Sequence, residues 1–336
     1  MGLDLIDVLP GLHVPELDAS LTRQQTALYM EGELPYPCTD RHHSERGKRC
    51  FDEDLLNSIM VRLRGTLSES ERTNLFALAR KHLERKNLLI YVADESVMNV
   101  AHSQKWDGAI PPVRQDFLMV VDSSLPGYTT AAIARSIEYD LDLNPGGVST
   151  AELRVRYRNE RSVTGQACRQ AEGGGGKCYW NYMRIFIPQS ARDIYVPPIP
   201  LHEGSEKLIW GHRDLDSLRV LPHASGGLQD LTEIGGFITV ERQATLTVPI
   251  SYNLDDQVVR QLAPGTFEYR LQLIKQPGMD RDQVTVRIEL PSGYQLVTAI
   301  NASLDPDFSA VVYHGVLNQD TEIVIVFKLG KSELPG

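Results

Sequence analysis

The chain has 336 residues, and 34 Lys and Arg stand against 44 Asp and Glu, a formal net charge of −10. That balance argues against a nucleic-acid partner, because phosphate backbones demand clustered cations. A 42% apolar content excludes wholesale disorder, no run approaches the ~20 apolar residues of a membrane span, and no secretion signal is visible.

Residues 1–50 show little periodicity and read as an irregular segment, entered part-way. Pro10, Pro15, Pro35 and Pro37 interrupt it, and only Ala27-Leu-Tyr-Met30 suggests a helical turn. Residues 51–126 read as a small α/β segment. Asp52 is placed to cap a helix carrying Leu55, Leu56, Ile59, Met60 and Leu63. Ser68-x-x-Glu71 forms a capping box ahead of a second helix with Leu75, Phe76, Ala79 and Leu83 on one stripe. Leu88–Ala93 reads as a buried strand, Glu95–Gln104 as a third helix, and Phe117–Val121 as another buried strand.

Period-two alternation takes over beyond residue 128. Leu153, Val155 and Tyr157 alternate with Arg154, Arg156 and Arg158, and runs around 246–252, 267–273 and 284–290 do the same. Turn clusters such as Asn144-Pro-Gly-Gly147 and Pro291-Ser-Gly293 separate them. The expected fold class is α+β, with the small α/β segment followed by an antiparallel, immunoglobulin-like β-sandwich region. Residues 127–245 and 246–336 make either two sandwiches or one enlarged sandwich. Pro249 cannot donate to a ladder, which puts its strand at an edge or a bulge. The closing Ile323-Val-Ile-Val-Phe327 suits an exposed edge open to chain-to-chain pairing.

Four cysteines fall into two close pairs, Cys38 with Cys50 and Cys168 with Cys178, each bracketing a polar loop. Local pairing of an even number predicts two disulfides and an extracytoplasmic setting. A zinc site using His42 and His43 with the first pair competes, although the spacing matches no common ligand pattern. Asp140-x-Asp142, Asp214-x-Asp216 and Asp305-Pro-Asp307 are weak calcium candidates, with Asp305 and Asp307 the best placed in a turn.

Gly173-Gly-Gly-Gly-Lys177 lacks the phosphate-loop frame and precedes a strand, so it reads as a hairpin tip. Arg154, Arg156 and Arg158, with Arg184 on a later strand, form a possible anionic-ligand face, against the commoner reading of a solvated, paired strand face. Trp106, Trp180 and Trp210 are open to sugar stacking or to a sandwich core. No nucleophile elbow or His-Glu-x-x-His motif occurs, so no catalytic residue is assigned and no cofactor is expected.

Trp106-Asp-Gly108, Gln115-Asp-Phe-Leu-Met-Val-Val-Asp-Ser123, Tyr179-Trp-Asn-Tyr-Met-Arg-Ile-Phe-Ile-Pro188 and Tyr269-Arg-Leu-Gln-Leu-Ile-Lys-Gln-Pro-Gly278 follow in register. Over about residues 50–292 the chain resembles the C-terminal half of a bacterial family known as domain of unknown function 4012. The resemblance implies a cell-envelope protein whose full-length form carries a membrane tether, and it supplies no catalytic residues. The family's amino-terminal half is missing, and Glu233-Ile-Gly-Gly-Phe237 echoes one of its motifs by chance. The family often has Asn where Ser123-Ser124 stands.

The expected function is a non-enzymatic envelope or surface module for assembly, adhesion or scaffolding, through self-association or other envelope proteins. The alternative is part of an envelope enzyme or carbohydrate-binding protein acting on anionic wall polysaccharide.

Overall fold

The computed structural model describes residues 2–9, 11–14, 17, 20–31, 34–37, 47–124, 132–160, 178–201, 218–221, 228–307 and 310–330. The chain divides into a helical unit, Met1–Gly108, and a β unit that begins at Ala109. It is α+β: a few helices followed by two mostly antiparallel sheets.

The helical unit opens with α1 (Gly2–Val8), α2 (Arg23–Glu31) and α3 (Gly47–Arg64). The opening segment is therefore more regular than its proline-broken sequence suggests. Its scattered apolar residues Ile6, Leu12, Val14, Leu21 and Tyr36 meet Phe51, Leu55 and Ile59 in one small core. Burial against other segments orders helices that local propensity leaves marginal. Tyr29 stacks on Phe51 at 4.8 Å, and Tyr36 meets Phe51 edge-on at 5.2 Å. Asp52 does not cap α3, because the helix begins five residues earlier.

α4 (Glu69–Glu84) starts as expected. The Glu71 N–H donates to Ser68 Oγ at 3.3 Å, and the Ser68 N–H donates to Glu71 Oε2 at 2.8 Å. α5 (Glu95–Ser103) is capped by Asp94, which accepts from the N–H groups of Ser96 and Val97. Leu88–Ala93 is not a strand. It connects α4 to α5 with Tyr91 89% exposed. An apolar run becomes a strand only where neighbours complete its ladder, and here one bond, Ile90 N–H to Trp106 O at 2.9 Å, is all that resembles one.

The β unit holds two sheets. The first contains β1 (Asp116–Ser124), β4 (Tyr179–Pro188), β6 (Arg219–Leu221), β7 (Leu231–Val240), β9 (Val259–Ala263), β10 (Thr266–Ile274), β12 (Tyr294–Ile300) and β15 (Thr321–Leu329). Its order is β12-β15-β10-β1-β4-β7-β6, and β9 also pairs with β10. The second contains β2 (Ile133–Asp142), β3 (Ser149–Asn159), β5 (Arg192–Tyr195), β8 (Thr245–Leu254), β11 (Gln283–Glu289), β13 (Ser303–Leu304) and β14 (Ala310–Val316). Its order is β13-β14-β11-β2-β3-β8-β5.

These sheets form one enlarged sandwich. β10 lies parallel to β1 in one sheet, and β11 lies parallel to β2 in the other. Those two seams join the earlier strands to the later ones, and a single apolar core runs from Leu118 and Tyr157 to Ile325 and Phe327. β1 thus belongs to the sandwich, and no separate α/β layer forms.

The alternation of β3 is as expected, with Leu153, Val155 and Tyr157 inside. Pro249 pairs with Arg154 on β3 and lies past the stretch of β8 that β5 covers, so its other side has no neighbouring strand to receive a ladder bond. β15 is not an edge. It lies between β12 and β10, with Ile323, Ile325 and Phe327 buried. The edge is β12, whose register shifts between Leu296 and Thr298. Such an irregularity discourages strand addition.

Candidate functional site

The densest chemistry in the described residues lies inside the sandwich, along β1. Alternation points Asp116, Leu118, Val120 and Asp122 inward, so two carboxylates face the opposite sheet ~20 Å apart. Each is satisfied by residues that alternation on other strands also turns inward.

Asp116 is fully buried. Its Oδ2 accepts from the hydroxyls of Tyr139 at 2.6 Å and Tyr269 at 2.5 Å, and its Oδ1 accepts from the Phe117 N–H at 2.7 Å. Burial pushes its carboxyl up to about 6, and these three donors limit the rise. Burial also holds the hydroxyls of Tyr139 and Tyr269 well above their ordinary range, so they stay donors.

Asp122 anchors the second cluster. Its Oδ1 accepts from Tyr157 Oη and Asn181 Nδ2, each at 2.7 Å, and its Oδ2 lies 2.8 Å from Arg135 Nη1. Arg135 occupies an inward position of β2. The parallel register sets Ser136 against Gln283, which brings the preceding Asp282 beside Arg135. Arg135 Nε donates to Asp282 Oδ1 at 2.9 Å, and Nη2 donates to the other oxygen. Burial opposes the guanidinium charge, but Asp122 and Asp282 outweigh it and raise its affinity for the proton. Gln276 closes the group by bonding both the N–H and the carbonyl of Asp122. Nearby, the buried Lys275 sits 3.1 Å from Asp280 Oδ1 and donates to the Gln276 carbonyl; desolvation lowers its proton affinity.

Except for the part-exposed Asp280, these groups are enclosed, and Asp116, Asp122, Arg135 and Asp282 are each paired. Tyr139, Tyr157 and Arg135 come from one sheet, Asp116 and Asp122 from the other, so their chemistry is cross-bracing between sheets. Alternation put Tyr157 and Tyr269 inside, but the carboxylates and Arg135 were missed as a set. The legible signal was Arg135 at core parity among Ile133, Ile137 and Tyr139, and the two Asp flanking Phe117–Val121.

The arginines expected to share one ligand face do not. Arg154, Arg156 and Arg158 lie on β3, whereas Arg184 lies on β4 in the other sheet. Arg154 pairs with Asp140 at 2.7 Å and Glu152 at 2.6 Å. Arg158 lies 3.7 Å from Glu160, and Arg156 is exposed between Ser136 and Thr247. Arg184 bonds both carboxylate oxygens of Glu233, at 2.7 and 3.0 Å, and lies 4.8 Å from the ring centre of Phe186. Arg154 and Arg158 thus sit among acids, whereas Arg156 has hydroxyl side chains as its cross-strand neighbours.

Asp305 accepts from the Ala310 N–H at 3.2 Å and pairs with Arg287 at 2.8 Å, so it shapes a turn; Asp307 is exposed. Among the described residues no group of three His, Cys, Asp or Glu could hold a metal. Trp180 is buried, which removes it from sugar stacking. Glu233-Ile-Gly-Gly-Phe237 forms part of β7, where Gly235 leaves room for Tyr182: a Cβ there would lie 3.0 Å from its hydroxyl. An open groove is lined by Gln189, Ala191, Arg192, Val220, Asp255 and Gln257, and the Arg192 guanidinium in it already donates to the carbonyls of Gln189 and Ala191.

Cys50 and Cys178 are each disulfide-bonded, and no described cysteine is a free thiol. Cys38 and Cys168, with His42, His43, Gly173–Lys177, Trp210, Asp214 and Asp216, lie outside the described residues.

Fold and interior define an α+β protein built on a cross-braced β-sandwich. No family model matches the chain, and no curated protein does. Among solved structures it is similar to one from Legionella pneumophila described as a "putative nutrient binding protein", at 9% identity and a TM-score of 0.34, over 64% of this chain and 72% of that one.

Proposed function

We propose that the protein is a non-enzymatic, extracytoplasmic module of the cell envelope that serves assembly or scaffolding, as its resemblance to the family of domain of unknown function 4012 implies. The observation that carries the reading is the disulfide bonding of Cys50 and Cys178, because such bonds persist in oxidising compartments. The interior adds support. Its titratable groups brace one sheet against the other and are shut away from any ligand, as suits a part whose work is mechanical.

The test is peptide mapping under non-reducing conditions together with fractionation of the source cells. The expected result is Cys38–Cys50 and Cys168–Cys178 linkages in protein recovered with the envelope. Recovery in the cytoplasm with four alkylatable thiols would overturn the reading.

A further inference from the structure

α3 carries apolar residues beyond its buried stripe. Phe51, Leu55 and Ile59 fill the small helical core, while Leu56, Met60, Val61 and Leu63 are exposed, Leu56 at 59% and Val61 at 70%. A helix that only covered a core would be polar outside that stripe. The charges along it are ordered: Asp52 and Glu53 are exposed in the first half, and Arg64 at the end.

That order is self-complementary. If two α3 helices run antiparallel, with a two-fold axis between residues 58 and 59, Glu53 of one copy meets Arg64 of the other. Leu56 then packs against Met60 of the other copy, a contact that occurs twice by symmetry, while Val61 lies outside the seam, about 140° round the helix from Leu56. A parallel pair would instead set acid against acid and base against base. Arg62 stays out of the seam, because it is committed to Glu71 within the same chain.

We propose that this face is a homodimer interface in which α3 packs antiparallel against α3 of a second copy of the chain. The inference names a partner for the assembly role proposed above. It is read by a different measurement, so either can fail alone. One helix pair buries less than the ~1,200–2,000 Å² of a standard interface, so the dimer is weak and reversible.

Sedimentation velocity of the full, oxidised chain over a concentration series tests it. The wild type is expected to show a concentration-dependent monomer–dimer equilibrium, and Leu56→Glu to abolish it with an unchanged far-UV spectrum. Glu53→Arg and Arg64→Glu should each raise the dimer Kd about ten-fold, and the double swap should return it to near wild type. A monomer at every concentration, a dimer indifferent to Leu56→Glu, or a double swap that stays weakened would each overturn the proposal.

Discussion

Arg135 and Asp282 form a two-pronged ion pair inside the sandwich, with both side chains 1% exposed. The parallel pairing of β2 with β11 creates it, and Asp122 on the facing sheet gives the guanidinium a second carboxylate. Removing the cation strands two buried carboxylates. Arg135→Met is therefore expected to cost about 3–5 kcal/mol, read by urea denaturation. Arg135→Lys should recover little of this, because an ammonium cannot reproduce the fork.

Asp116 makes the fold lose stability as pH rises through the mildly acidic range, the opposite sign to that of a salt-bridged carboxylate. Its folded value of about 6 lies above the ordinary 3.8, so the folded state binds more protons between those limits. The group's contribution is full below about pH 4 and is lost as pH rises through about 6, a change of about 3 kcal/mol. Asp116→Asn should flatten that part of the stability profile and also lower overall stability, because its amide has one acceptor oxygen where the carboxylate accepts on both. A profile unchanged by the substitution would show that Asp116 does not govern it.

Ser68 closes the capping box of α4, and its hydroxyl also lies 3.4 Å from that of Ser70 in the same turn. Ser68→Ala should lower stability by about 1 kcal/mol. Hydrogen exchange should speed up first at the amide of Glu71, which loses its acceptor.

The β3 arginines separate the scaffold reading from the wall-polymer alternative. Arg154 is 39% exposed and shares its charge among Asp140, Glu152 and the more distant Glu138. Arg154→Ala should change stability by under about 1 kcal/mol. Calorimetry against an anionic wall polymer should show no binding for the wild type. A binding signal lost on joint replacement of Arg156 and Arg158 would favour the alternative.

Sequence periodicity was a sound guide wherever one local rule decided the outcome. Ser68 and Glu71 cap α4 because both partners lie within one turn. Leu153, Val155 and Tyr157 face inward because the pleat alternates whatever the neighbouring strand. Leu88–Ala93 was misread because apolar content does not supply a ladder partner. The Ile- and Val-rich β15 was misread as an edge because its neighbours come from β10 and β12. The opening segment looked irregular because its core residues are apolar but not periodic.

By itself, then, the sequence determined the α+β class, the inward parity of the strands and the α4 cap, all consequences of local backbone geometry. Tertiary structure alone decided that the strands form one sandwich, that Arg184 leaves the β3 arginines, and that Asp122, Arg135 and Asp282 meet. Those outcomes depend on β1 pairing with β10 and β2 with β11. Both seams join residues about 150 positions apart, and no local pattern encodes a pairing across such a loop.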